Sequence, residues 1–270
     1  MKRQLYILSF ILLIFSCEKD EVKHRDASDA QLVLVKARAG GVDMVQDKNI
    51  YDESGNIKTR TSYKDYAAGL VFSKTTYTYE NGKLLQIDGQ IDMSGSTFDT
   101  RYQYSRSVFE HSGNRIIQRN HYLKVNDDYE LRSFTVFSYD DEDHPVKQTR
   151  YSSDGALLGY TIYTYEGNNV MLSETYNRSQ ADPEPVLSFK YRYTYDNKKN
   201  PYRKVYQSIE NIPFSVNENN ITEITFVNYN SYPSAAQGVS NITSILYVYN
   251  NLDYPSLMNE NGNEFVLEYK

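Results

Sequence analysis

Leu187-Ser188-Phe189-Lys190-Tyr191-Arg192-Tyr193-Thr194-Tyr195 alternates ring or aliphatic side chains with polar ones along its whole length. Successive side chains of an extended strand point to opposite faces. Leu187, Phe189, Tyr191, Tyr193 and Tyr195 therefore share one face, and Ser188, Lys190, Arg192 and Thr194 share the other. This is the period-2 pattern of a half-buried antiparallel strand. Asp196-Asn197-Lys198-Lys199-Asn200-Pro201 follows, a polar stretch that reads as a turn.

The same unit recurs: an aromatic-x-aromatic strand end, a polar turn, and a second strand. Tyr77-Thr78-Tyr79 runs into Asn81-Gly82, and Tyr163-Thr164-Tyr165 into Gly167-Asn168. Anchored on Tyr51, Tyr79, Phe109, Tyr139, Tyr165, Tyr195, Tyr229 and Tyr249, it repeats at steps of 20 to 34 residues. A step of about 28 residues holds two strands of roughly ten residues with their connections. Asn81-Gly82 and Asn261-Gly262 are two-residue signals for type I′ hairpins, whose central positions both need positive φ. Ser54-Gly55 and Ser112-Gly113 suit slightly longer turns. No window carries a helical stripe with caps, and Ala67-Ala68-Gly69 is too short to make one. The expectation is an all-β domain, a long antiparallel meander of about eight Tyr-rich hairpins. Such a sheet twists, so it curls into a half-barrel, closes into a barrel, or folds over itself.

Tyr193 to Tyr202 and the terminal hairpin from Tyr247 to Pro255, together with the N-terminal features below, resemble uncharacterised Bacteroidetes lipoproteins. That family carries a porin-like domain, an open or partial β-barrel. The resemblance covers most of residues 31–270 and implies a fold without an activity. A weaker likeness is to YD-repeat proteins, whose Tyr-Asp-x-x-Gly core is intact only at Tyr51 to Gly55.

The N-terminus reads as a signal peptide. Lys2 and Arg3 precede an apolar run from Leu5 to Phe15, shorter than the roughly 20 residues a spanning helix needs. The run ends at Ser16-Cys17, which resembles a lipobox. The likeness implies cleavage after Ser16 and acylation of Cys17. One acyl chain holds a protein to a bilayer only marginally, whereas two or three hold it durably. Glu18-Lys19-Asp20-Glu21 resembles the acidic signal that sends such lipoproteins to the outer face of the outer membrane. The expected organisation is a signal over 1–16, a flexible acidic tether over 17–30, and one β domain over 31–270. Cys17 is the only cysteine, so the domain has no disulfide and no thiolate metal site or nucleophile.

Removing residues 1–16, which hold Lys2 and Arg3 and no acid, takes the net charge from −6 to −8. An acidic chain without a basic run is a poor partner for nucleic acid. His24, His111, His121 and His144 lack metal-ligand spacing and read as solvated groups in the tether, turns or strand edges. Asp140-Asp141-Glu142-Asp143 is the densest acid cluster, but it lacks calcium-loop spacing, and Pro145 marks a plain turn. No nucleophile elbow, phosphate-binding loop or zinc-protease motif occurs, and no cofactor is expected. The tyrosines could stack on sugar rings, but their placement beside turns favours packing of the sheet's inner face. The reading is a lipid-anchored surface module that binds or scaffolds an extracellular glycan or protein. Its alternatives are an enzyme acting on an extracellular polymer and, second, an outer-membrane barrel.

Overall fold

The structure is a computed structural model, and it describes residues 30–94, 102–179, 184–203, 205, 212–229 and 239–270. The Ser16-Cys17 junction, the acidic tether before residue 30 and His24 lie outside the described residues. The strands in chain order are β1 (Leu32–Ala39), β2 (Val42–Tyr51), β3 (Ile57–Asp65), β4 (Leu70–Glu80), β5 (Lys83–Asp92) and β6 (Tyr102–Ser112). They continue as β7 (Arg115–Val125), β8 (Asp128–Tyr139), β9 (Pro145–Ser152), β10 (Leu157–Glu166) and β11 (Asn169–Asn177). The last are β12 (Val186–Lys199), β13 (Asn219–Asn228), β14 (Val239–Tyr249), β15 (Pro255–Glu260) and β16 (Asn263–Tyr269). Each strand pairs antiparallel with its sequence neighbours, and β1 pairs with β16, so the meander closes into a sixteen-strand barrel. Closure leaves no unpaired sheet edge. Of the open, folded and closed forms the sequence allows, the closed one is adopted.

The expected turns form. Asn81 and Gly82 have φ of 50° and 75°, and Asn261 and Gly262 have 48° and 91°. They lie at opposite ends of the barrel. The end holding Asn81-Gly82 also holds residues 31 and 270, joined by reciprocal backbone hydrogen bonds between Gln31 and Lys270.

The repeat has a specific physical cause. At the end of each even-numbered strand a bulge interrupts the register beside the second aromatic, as between Thr164 and Tyr165 or Ser138 and Tyr139. The hydroxyl of that residue then donates to a carbonyl on the preceding strand. Tyr51 donates to Leu32 O (2.8 Å), Tyr139 to Ile116 O (2.7 Å), Tyr165 to Pro145 O (3.1 Å) and Tyr195 to Val170 O (2.5 Å). Tyr269 donates to Pro255 O (2.6 Å); in β14 the first aromatic takes the post, Tyr247 donating to Ile221 O (2.8 Å), while Tyr249 beside the bulge donates to Asp196 Oδ2. In the β5–β6 hairpin His111 takes the tyrosine's place, its Nε2 lying 2.7 Å from Leu84 O. Each accepting residue is itself paired with the aromatic of the hairpin before: Pro145 with Tyr139, Val170 with Tyr165, Leu32 with Tyr269. The staples thus pass from hairpin to hairpin around the barrel. A tyrosine suits the post because its ring fills the interior while its hydroxyl satisfies a buried carbonyl.

Two anchor assignments change. Tyr229 lies just beyond β13 at the opposite end of the barrel, and its N–H donates to Ser188 O. Tyr269, overlooked in the repeat, closes the ring. The alternation read over residues 187–195 holds from Phe189 onward, but a register shift sets Leu187 beside outward Tyr176 and leaves Ser188 buried.

The larger departure is at Asp196 to Pro201. The chain does not turn there: β12 runs on to Lys199, and Pro201–Arg203 form a short 3-10 turn. The return strand begins only at Asn219. The described parts of the intervening segment fold inside the barrel as a plug. Val205 packs among Leu32, Tyr51, Ile57, Tyr77 and Phe109 on one wall. Ile212, Phe214 and Val216 pack against Tyr163, Val170, Tyr193, Ile221 and Ile245 on the other. Amides fix the plug. Asn217, fully buried, accepts from Val170 N (2.8 Å) and donates to the Tyr195 hydroxyl (2.7 Å). Asn200 Nδ2 donates to Phe214 O and Asn217 O. Asn169 Oδ1 accepts from Glu218 N and Asn219 N.

Candidate functional site

Among the described residues, two recesses of the lumen stand out above the plug. The larger, of about 420 Å³, is bounded by β4 to β9. Cross-strand register places its side chains in layers. Nearest the plug runs the inward row Phe109–Arg119–Thr135–Arg150–Gly159–Asn177. One pair nearer the mouth runs Ile87–Ser107–His121–Ser133–Ser152. Beyond that lie Gly89 and Ser105. Hydroxyls that both donate and accept, two guanidiniums and an imidazole therefore line one wall.

The smaller recess, of about 240 Å³, lies between the plug and the β13–β16 wall. Tyr202 and Phe214 of the plug face Ile224, Ile245, Tyr247, Met258 and Phe265. Its polar end carries Asp47, which accepts from Arg60 Nη2 (3.2 Å) and from the Ser62 hydroxyl. On the same side Tyr191 stacks on Phe226, with centroids 4.7 Å apart, and Phe226 stacks on Phe189. The lumen is thus amphipathic, aromatic on one wall and hydroxylated and basic on the other.

The electrostatics follow from burial. Burial pushes the Tyr163 hydroxyl up, while nearby Arg119 and Arg150 pull the other way. Burial pushes Tyr193 up to about 12, opposed by its bond with Ser173.

The outer wall differs. Asp88 accepts from Arg106 Nε (2.8 Å), and Lys190 donates to Glu174 (2.7 Å), both pairs near the middle of their strands. Glu110, Gln118 and Asn120 form a hydrogen-bonded amide–carboxylate cluster. Some outward rings stack on one another, Phe134 on Tyr151 (4.9 Å) and Tyr160 on Tyr176 (4.8 Å), with Lys147 over Tyr160, while Ile242, Leu246 and Val248 of β14 are exposed.

The histidine reading needs correction. His111 is a staple inside β6, and His121 lies within β7 facing the larger recess, so neither is a solvated edge group. Their alternation with Phe109 and Arg119 was the available signal. His144 stacks on Tyr165 at 4.5 Å and bonds Asp140. The Asp140 to Asp143 cluster is the plain turn that Pro145 implies. Asp140 Oδ1 accepts from the backbone N–H groups of Glu142 and His144, and Asp143 pairs with Arg115. Of the residues expected to act, Ser16 and Cys17 lie outside the described chain. The lumen site was missed because its members are ordinary serines, threonines and arginines that only the register assembles.

No protein-family model and no curated protein matches the chain. Solved structures similar to it include two porin-like proteins. A porin-like protein from Bacteroides uniformis superposes with a TM-score of 0.53 at 12% identity, covering 90% of this chain and 97% of that one. A porin-like protein from Bacteroides vulgatus gives 0.50 at 15% identity, covering 90% and 99%. At such identities the likeness carries the fold alone: a porin-like β-barrel.

Proposed function

We propose that the protein is a binding cup: a plugged barrel standing outside the bilayer, tethered through Cys17 to the outer membrane, that receives a small polar ligand in its lumen. The observation carrying this reading is the amphipathic lumen above a fixed floor. Aromatic faces opposite hydrogen-bonding side chains are what a sugar-like ligand needs, since its C–H faces pack on rings and its hydroxyls seek donors and acceptors. The tyrosines of the ring are not available for this, because their hydroxyls bond carbonyls and their rings form the floor. Residue 31 leaves the barrel at the plugged end, so a tether there directs the mouth away from the membrane.

An outer-membrane barrel is the second reading, favoured by sixteen-strand closure and the porin-like fold. Such a wall presents an apolar band to lipid, and a Lys or Arg at the midplane costs about 2–4 kcal/mol. The mid-strand pairs Asp88–Arg106 and Glu174–Lys190 on the outer wall weigh against it, and the plug weighs against a conducting channel. An enzyme acting on a polymer gains no support from carboxylates in the larger recess, which among the described residues has none.

The test is retention on a glycan array by the mature chain, compared with Ser105→Trp, which fills the larger recess, and Thr194→Trp on the outer wall. The reading expects Ser105→Trp alone to abolish retention. Equal retention by both variants refutes it.

A further inference from the structure

Resting on the lumen as the binding site, we propose that its ligand is a small polyhydroxylated anion, such as a uronic acid or a sugar phosphate, seated on Arg150. Arg150 lies in the row just above the plug, between Thr135 and Gly159. Gly159 puts no side chain between Arg150 and Asn177, so the guanidinium reaches across it. No side chain can occupy that position, because a Cβ there would lie 2.3 Å from Tyr176 O. Asn177 holds Arg150 across Gly159, its Oδ1 accepting from Nη2 at 2.6 Å. A neutral amide orients the fork without cancelling its charge, and a guanidinium has five donors to offer.

The surrounding chemistry has the same sign. Arg119 and His121 share the recess, with Ser105, Ser107, Ser133 and Thr135 supplying hydroxyls. Among the described residues lining it there is no Asp or Glu, although the chain has 35 acids against 29 bases. Several carboxylates are instead on the outer wall, where Asp88, Glu174 and Glu268 pair with Arg106, Lys190 and Lys36. An acidic protein that keeps a basic recess in its interior is arranged to attract an anion into it, and the low dielectric there strengthens the attraction. The hydroxyl rows call for a ligand with several hydroxyls of its own.

The experiment is isothermal titration of the purified mature chain with galacturonate, galactose 1-phosphate and galactose. The expected result is saturable binding of the anions, with galactose at least tenfold weaker. Which anion binds tighter separates carboxylate from phosphate. Arg150→Gln should weaken the anions at least tenfold and leave galactose unchanged, while Arg192→Gln on the outer wall changes neither. Dichroism of each variant checks that the barrel is intact. Equal binding of all three sugars, unaffected by Arg150→Gln, overturns the anion proposal and leaves the lumen reading standing. Anion binding that survives Ser105→Trp undiminished overturns the lumen reading. No binding of either anion overturns the anion proposal.

Discussion

Replacing Tyr195 by Phe removes one oxygen and tests whether the hydroxyl ring holds the barrel together. The Tyr195 hydroxyl donates to Val170 O at 2.5 Å and accepts from Asn217 Nδ2 at 2.7 Å. Val170 and Asn217 are both fully buried, so no water replaces the lost oxygen. A buried polar group left unsatisfied costs about 1–3 kcal/mol, and two are left here, giving about 2–6 kcal/mol. Tyr51→Phe supplies the internal comparison. Its hydroxyl also donates to a carbonyl, Leu32 O, but that oxygen accepts a second bond from Asn49 Nδ2 at 3.0 Å. The acceptor stays satisfied, and the loss is that of one ordinary hydrogen bond, about 1 kcal/mol. Urea unfolding followed by far-ultraviolet dichroism measures both. Tyr195→Phe should lower stability more than Tyr51→Phe by about 2 kcal/mol, from the same per-bond costs. Equal losses, or a Tyr195→Phe loss no larger than that of a single bond, would refute the argument that the ring and the plug share one hydrogen-bond network.

Alkaline pH should open the barrel cooperatively. Burial raises the hydroxyls of Tyr139 and Tyr193 to about 12, against about 10 in an unfolded chain. A raised folded value means the stabilisation is complete below pH 10 and is lost as pH climbs towards 12. Phenolate absorbance should therefore rise in step with loss of dichroism, and smooth titration of all tyrosines in an intact fold would contradict this. Asn217→Ala should loosen the plug, costing about 2–4 kcal/mol through the groups it leaves unbonded. Hydrogen exchange at residues 212–217 should accelerate, while β6 to β8 stay protected. Cys17→Ala should free the protein from membranes or leave it uncleaved; a processed, lipid-labelled Cys17→Ala protein would be the opposite result.

The fold was legible to the extent that local pattern encodes it. Period-2 alternation and Asn-Gly turns mark strands and hairpins wherever the partner strand is next in sequence, which is true of every pair except β1–β16. Closure was not legible, because pairing Val35 with Leu267 depends on curvature accumulated over the whole sheet. The plug was hidden for a different reason. Tyr193-Thr194-Tyr195-Asp196-Asn197 has the composition of a hairpin end, and the departure is signalled only by Pro201 and by the uneven spacing around Tyr229. His111 escaped notice as a staple because it stands where the other copies carry tyrosine. The lumen row of Arg119, Thr135 and Arg150 spans three strands, and no sequence window contains it.

Whether this plugged barrel lives in water is tested most directly by the behaviour of residues 31–270 without lipid or detergent. With ion pairs at mid-strand on its outer wall and a closed strand ladder, that segment should purify as a monodisperse protein in plain buffer and show the full β dichroism of the lipid-anchored form. Aggregation in buffer, with recovery of the native spectrum only in detergent or lipid, would contradict the account and place the outer wall against the bilayer.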